Sequence, residues 1–164
     1  MSLHIRKYTT ADCQAILDII NYNILHSTVI YDYEPRTLAT QLHIFEDKLA
    51  KGFPIVVAEK NNEVVGFGYY SEFRFRDAYK FTVEHSVYVH KDYQGQAIGK
   101  RILEHLIMLA REQKLHTMIG VIDAENTGSI FFHEKMGFEI VGTIKDSGYK
   151  FDRWLHSVFM QIML

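Results

Sequence analysis

Glu84 breaks the pattern of its neighbours: it is a carboxylate inside the valine-rich run F-T-V-E-H-S-V-Y-V of residues 81–89. A charge there is unfavourable unless it is paired or reaches a wet cleft. Two readings stay open. One is a salt bridge with an arginine such as Arg74; the other is a base of raised proton affinity that takes a proton through water. Just downstream, Gln94-Gly95-Gln96-Ala97-Ile98-Gly99 runs into Lys100 and an apolar helical pattern. Glycines let a backbone come close to a ligand, and the free N–H groups of a first helical turn, with the helix dipole behind them, point at a phosphate. The competing reading is a plain tight turn. Three residues, not four, separate Gly95 from Gly99, and Arg101 follows Lys100, so this is no Walker loop; the G-x-G-x-x-G dinucleotide spacing is absent as well.

Asn126-Thr127-Gly128-Ser129 repeats the theme at a second strand-to-helix joint, with His133 seven residues past the asparagine. It reads either as an N-cap followed by an exposed helical histidine, or as half of one site. In an open α/β sheet, ligands bind in the groove beyond adjacent strand ends, and His133 would lean into it. Arg74 and Arg76 flank Phe75 in a loop; they are a solvated pair unless the loop covers the cleft, where guanidinium forks suit a carboxylate or phosphinate. His85, His90, His105, His116 and His133 show no H-E-x-x-H and no compact ligand spacing, so no metal is expected.

These residues need elements to hold them. Leu3, Ile5 and Lys7 alternate with His4, Arg6 and Tyr8 as a strand would. Thr9 to Asp12 offers caps for an amphipathic helix reaching about Leu25. Ser27 to Pro35 has no helical period. Thr37 to Leu49 forms a second helix with Leu38, Leu42, Phe45 and Leu49 along one side, ended by Lys51-Gly52. Phe53 to Glu59 and Val64 to Tyr70 make a hairpin about Asn61-Asn62. Phe73 to Tyr79 is a loop, and Phe81 to Val89 the central strand. A helix starts at Ile98 and carries Ile102, Leu103, Leu106, Ile107 and Ala110. Then come a strand over Thr117 to Asp123, a helix over Asn126 to Met136, and strands over Phe138 to Thr143 and Trp154 to Met163, with Lys145 to Arg153 as a loop. The order is β-α-α-β-β-β-α-β-α-β-β, a single mixed α/β domain.

Composition narrows the classes. The 164 residues suffice for one domain with a sizeable core, and a formal charge of −2 gives no reason to expect nucleic acid or an anionic membrane as partner. The lone Cys13 rules out an internal disulfide and a cysteine-based zinc site. No stretch approaches the roughly 20 apolar residues of a membrane span, and the start lacks a secretory apolar region; a cytoplasmic location is expected. Heavy aromatic use suits both a packed core and a water-excluding pocket.

Q-G-Q-A-I-G-K-R-I-L after a valine-rich strand resembles the acetyl-CoA motif Q/R-x-x-G-x-G/A of the GCN5-related N-acetyltransferases (GNAT). N-T-G-S-I-F-F-H-E-K-M-G-F resembles that family's second motif. F-R-F-R-D-A-Y-K-F-T-V-E-H-S-V-Y-V-H and G-Y-K-F-D-R-W resemble its phosphinothricin and methionine-sulfone/sulfoximine acetyltransferase branch, and the likeness spans nearly the whole chain. It implies one N-acetyltransferase domain over residues 1–164, with a mixed twisted sheet of about seven strands and about four helices on both faces. It also implies acetyl-CoA as co-substrate, a small amine acceptor and a homodimer. Carried over by position, Val87, Tyr88 and Val89 meet the pantetheine and thioester; Gln94, Gly95, Gln96, Ala97, Ile98, Gly99 and Lys100 hold the pyrophosphate; Asn126 and Ser129 touch the pantetheine. Arg74, Phe75 and Arg76, with Glu84, His85 and Ser86, line the acceptor pocket, closed by Lys150 and Trp154. The motif's first small position is Ala97 here, tolerable if that residue keeps helical φ. His133 stands where the wider family has tyrosine.

The implied chemistry is direct transfer. An α-amine with a reference pKa of about 8 must lose a proton before it attacks. Glu84 takes that proton through water, a strand N–H near Val87 to Val89 meets the oxyanion, and His133 protonates the leaving thiolate. Two rivals remain: a polypeptide amine as acceptor, and a non-catalytic acyl-CoA-binding module.

Overall fold

The structure is a computed structural model and describes residues 2–164. Its elements are β1 (His4–Lys7), α1 (Cys13–His26), α2 (Leu38–Ala50), β2 (Ile55–Lys60), β3 (Glu63–Glu72), β4 (Thr82–Val89), α3 (Ile98–Glu112), β5 (Thr117–Asp123), α4 (Thr127–Lys135), β6 (Glu139–Lys150) and β7 (Arg153–Met163). They build one seven-stranded sheet in the order β1-β2-β3-β4-β5-β7-β6. Every neighbouring pair is antiparallel except β4 and β5. Parallel neighbours cannot be joined by a tight turn, so the chain crosses over through α3.

Each sheet face carries its own core. The apolar row of α3, from Ile98 through Ile102 and Leu106 to Ala110, packs with Val56, Ala58, Val83 and Met118, and Ile130 and Phe132 of α4 border the same cluster. On the opposite face Ile16, Ile20 and Ile24 of α1 and Phe45 of α2 close over Ile55, Val57 and Phe67. β2 is therefore buried on both faces, which is why its sequence is a continuous apolar run without alternation. At Gly68 an added Cβ would lie 2.6 Å from Ile102 Cγ2 and 3.0 Å from the Ser86 carbonyl, so a missing side chain sets how closely α3 approaches the sheet.

Asn61 and Asn62 both take positive φ, as the primed hairpin turn expected there requires. Two expectations need correction. In α2 the buried positions are Gln41 and Phe45, while Leu38 and Leu49 are exposed; the Gln41 Oε1 accepts from Arg36 Nη1, which lets an amide take a core position. The supposed loop from Lys145 is mostly strand. After an irregularity between Ile144 and Gly148, pairing resumes at Gly148↔Leu155 and ends at Lys150↔Arg153, and Phe151 and Asp152 turn the hairpin with positive φ. The run Lys145-Asp146-Ser147 hides this because β6 is an edge strand whose side chains need no apolar pattern.

Candidate active site

The ladder between β4 and β5 lasts only from Thr82↔Thr117 to Glu84↔Ile119, whereas β5 stays on β7 as far as Asp123↔Ser157. Past Glu84 the two parallel strands part. The His90 N–H donates to the Val65 carbonyl and the Thr82 carbonyl accepts from Phe73, which fixes the even-numbered backbone groups of β4 toward β3. The C=O of His85 and the N–H and C=O groups of Val87 and Val89 therefore turn into the gap, where no strand meets them. The gap opens into a cleft of about 1040 Å³, at the upper end of the ~300–1,000 Å³ of small-molecule sites.

One wall is the loop into α3. Gly95 has φ +76° and Ala97 +59°. The condition under which an alanine costs nothing there, a helical φ, is not met: the residue sits in the left-handed region, at a cost of roughly 1–2 kcal/mol for a side chain with a Cβ. Left-handed φ at residues 95 and 97 turns the chain so that α3 starts at Ile98. The first main-chain bond of this helix end runs from Arg101 N–H to the Ala97 carbonyl, leaving the amides of Ile98, Gly99 and Lys100 without helical partners. Those three residues line the cleft with Gln94, Gly95 and Ala97. Gln96 does not; its side chain accepts from Lys60 Nζ at 2.8 Å.

Glu84 lies on the other face of β4 from Val87, beside Ser86 and opposite Ser71 of β3. The expected bridge to Arg74 is not made, and no ion pair reaches the Glu84 carboxylate among the described residues. Burial raises its proton affinity, and the more distant Lys48 and Arg74 offset this only in part. A half-buried, unpaired carboxylate at the foot of an open cleft has the properties of a base.

Asn126 caps α4, its Oδ1 accepting from the Ser129 N–H at 3.1 Å. His133 is not the exposed helical histidine of the bland reading; it is 6% exposed. Its Nδ1 lies 2.7 Å from the Ser129 carbonyl and its Nε2 3.1 Å from His85 Nε2. A carbonyl only accepts, so Nδ1 carries the proton and Nε2 is the acceptor of a proton from His85. Burial lowers the proton affinity of both rings, that of His85 to a pKa of about 3. In this tautomer the neutral His133 has no N–H free to meet a leaving thiolate.

Glu84, His85, Ser86, Val87, Tyr88, Val89, Asn126, Ser129 and His133 all border the cleft. Arg74, Phe75, Arg76, Lys150 and Trp154 do not, so the acceptor pocket expected from them is not assembled within one chain. Phe75 is 91% exposed and Trp154 stands outside against Tyr149. Lys150 is buried instead, donating to the Ser27 and Ile30 carbonyls at 2.8 and 2.6 Å. It thereby clamps a wall that the sequence did not reveal, residues 28–31, whose Thr28 hydroxyl donates to Asp123 across the cleft. That stretch has neither period nor motif; only its lack of helical pattern marked it.

The model of the Acetyltransferase (GNAT) family matches residues 20–138. The L-methionine sulfoximine/L-methionine sulfone acetyltransferase of Pseudomonas aeruginosa is 40% identical over 165 residues, covering 100% of this chain and 96% of that protein. The crystal structure of a GNAT superfamily phosphinothricin acetyltransferase from Sinorhizobium meliloti in complex with acetyl-CoA superposes with a TM-score of 0.96 at 34% identity, covering 100% of this chain and 89% of that one. A ribosomal-protein-alanine N-acetyltransferase from Brucella melitensis superposes with a TM-score of 0.97 at 39% identity, covering 98% and 99%.

Proposed function

The chain belongs to the acetyltransferase (GNAT) family, and from that premise we propose that it acetylates the α-amine of a small amino-acid-like acceptor, of the methionine sulfone, methionine sulfoximine or phosphinothricin type. Acetyl-CoA is the donor, and transfer is direct between two bound substrates. The observation that carries this reading is the unpaired Glu84 at the foot of a gap into which Val87 and Val89 turn free backbone groups.

The cleft fits the coenzyme. The unpartnered amides of Ile98, Gly99 and Lys100, behind a loop whose Gly95 leaves its Cβ direction open, suit the pyrophosphate. The strand groups of Val87 and Val89 suit the amides of pantetheine. When bound, acetyl-CoA supplies an electrophilic thioester carbonyl and a thiolate leaving group. Glu84 accepts the ammonium proton of the acceptor through water, its raised proton affinity bringing it closer to an amine of pKa about 8. An N–H of Val87 or Val89 then faces the charge that develops on the carbonyl oxygen. With His133 committed to Ser129 and His85, the second proton of the attacking nitrogen passes to the departing sulfur, directly or through water. Bringing the two substrates together supplies the rest.

A second reading, a polypeptide N-terminal amine as acceptor, takes its support from the Brucella melitensis structure. Released thiol measured with methionine sulfone, methionine sulfoximine, phosphinothricin and an alanine-initiated peptide separates the two. Preference for the peptide overturns the small-molecule assignment, and coenzyme binding without thiol release on any amine overturns the enzyme. Ile140, Val141 and Ile144 stand exposed along edge strand β6, an apolar edge that a second copy would cover. The active species is a homodimer on this reading, which light scattering checks. A lone buried Cys13 is at home in a reducing cytoplasm.

A further inference from the structure

The rupture of the sheet has a physical occupant. Glu84↔Ile119 is the last β4–β5 pair, and the next residues along each strand are His85 and Gly120. At that position the His85 and His133 rings stack with centroids 5.1 Å apart and planes 22° apart. Phe138 meets both rings edge-on. A Cβ on Gly120 would come within 2.9 Å of His85 Nε2 and 3.4 Å of the His133 ring, so the glycine is what admits the pair. His85 is 7% exposed and its Nδ1 has no partner. A histidine kept in that position at the expense of an unpaired ring nitrogen is not explained by core packing alone.

We propose that His85 is a positioning residue for acetyl transfer: its Nε2–H fills the lone pair of His133 Nε2, and the two stacked rings over Gly120 act as a wedge that keeps β4 and β5 parted where the acyl arm of the coenzyme lies. The inference deepens the proposed activity and rests on that reading for the identity of the arm. It assigns His133 the role of a spacer. The ring ties α4 to β4 through a bridge spanning 48 residues of sequence, and so sets the distance between the Asn126–Ser129 cap and the Val87 and Val89 amides. Loss of the His85 donor leaves a buried lone pair on His133, and α4 shifts to satisfy it.

The full-length protein with 15N-labelled histidines gives the decisive reading, because two-bond proton–nitrogen correlations report each tautomer. Expected are His133 protonated on Nδ1 and His85 on Nε2, both neutral at neutral pH, with His133 titrating below the ordinary histidine value near 6.5. A His133 that carries its proton on Nε2, or titrates near that ordinary value, overturns the proposal. His85→Phe keeps the ring volume and removes the donor; calorimetry should show acetyl-CoA binding weakened roughly ten-fold or more, by misplacement of the cleft walls. His85→Gln restores an N–H donor and should recover most of that loss. An unchanged affinity in His85→Phe together with a kcat lower by about 100-fold would instead place the pair in proton transfer and sink the wedge. If His85→Phe does not fold, the tautomers of the wild type and the His85→Gln affinity still decide. Neither readout needs an acceptor, so a failure of the acetylation assay and a failure of the wedge remain distinguishable.

Discussion

On the proposed mechanism Glu84 makes opposite contributions to turnover and to stability. Its carboxyl binds protons more tightly in the folded state than in the unfolded chain, so its contribution to stability is present at low pH and is lost as pH rises through the folded-state pKa. Once ionised, the unpaired Glu84 is a net cost. Glu84→Gln should lower kcat/KM by about 10²–10⁴-fold and abolish the limb of the pH profile that rises as Glu84 ionises. It should also raise the thermal midpoint at neutral pH, each kcal/mol regained being worth about 2–4 °C in a chain of this size. A variant that loses activity and melts lower would show that Glu84 holds the fold together instead. Ala97 offers a second test. Ala97→Gly removes the cost of a Cβ at φ +59° and adds glycine's entropy loss of roughly 0.5–1 kcal/mol, so the unfolding free energy measured in urea should rise, by at most about 1.5 kcal/mol, with acetyl-CoA binding retained. Glu84 was legible in the sequence because a carboxylate interrupts an apolar pattern. The partner of His133 was not, since nothing local joins it to His85, and the left-handed φ of Ala97 was not legible because alanine ordinarily reads as helix.

Among the elements, those that bury one face of a regular structure were legible, and those that lean on a distant neighbour were not. The apolar row of α3 follows from spacing alone. The stripe assigned to α2 is buried at Phe45, which the aromatic patch of Tyr8, Phe67 and Tyr69 receives, but not at Leu38 or Leu49, while Gln41, bonded by Arg36, takes a core position. The extra length of β6 depends on its ladder with β7 rather than on its own side chains. The fit between α3 and the sheet is the most sensitive of these contacts. Gly68→Ala would thrust a methyl to within 2.6 Å of Ile102, an overpacking that costs about 1–3 kcal/mol. Urea unfolding should show the midpoint falling with an unchanged slope. A midpoint that stays put would mean α3 floats above the sheet, leaving the amides of its first turn poorly fixed.

At the scale of the molecule, β1–β4 and β5–β7 are two half-sheets joined by three residue pairs, Thr82 to Glu84 with Thr117 to Ile119. Past that seam the proposed mechanism leaves the halves to the helices, the histidine pair and the coenzyme in the gap. A ligand that binds only the folded state stabilises it by RT ln(1 + [L]/Kd), about 2.7 kcal/mol at one hundred times Kd, which corresponds here to roughly 5–11 °C in the melting midpoint. Where the protection appears matters more than how much there is. Ser86 and Tyr88 bond to β3 with or without ligand, whereas the N–H groups of Val87 and Val89 face the gap. Hydrogen exchange on the free protein should therefore find residues 87 and 89 fast between slow neighbours at 86 and 88. Saturating acetyl-CoA should slow 87 and 89 selectively, together with the amides of Ile98, Gly99 and Lys100. Uniform slowing across β4 would mean that the coenzyme merely stiffens the domain. Continued fast exchange at 87 and 89 would mean that the strand does not hold the acyl arm, and the gap in the sheet would need another occupant.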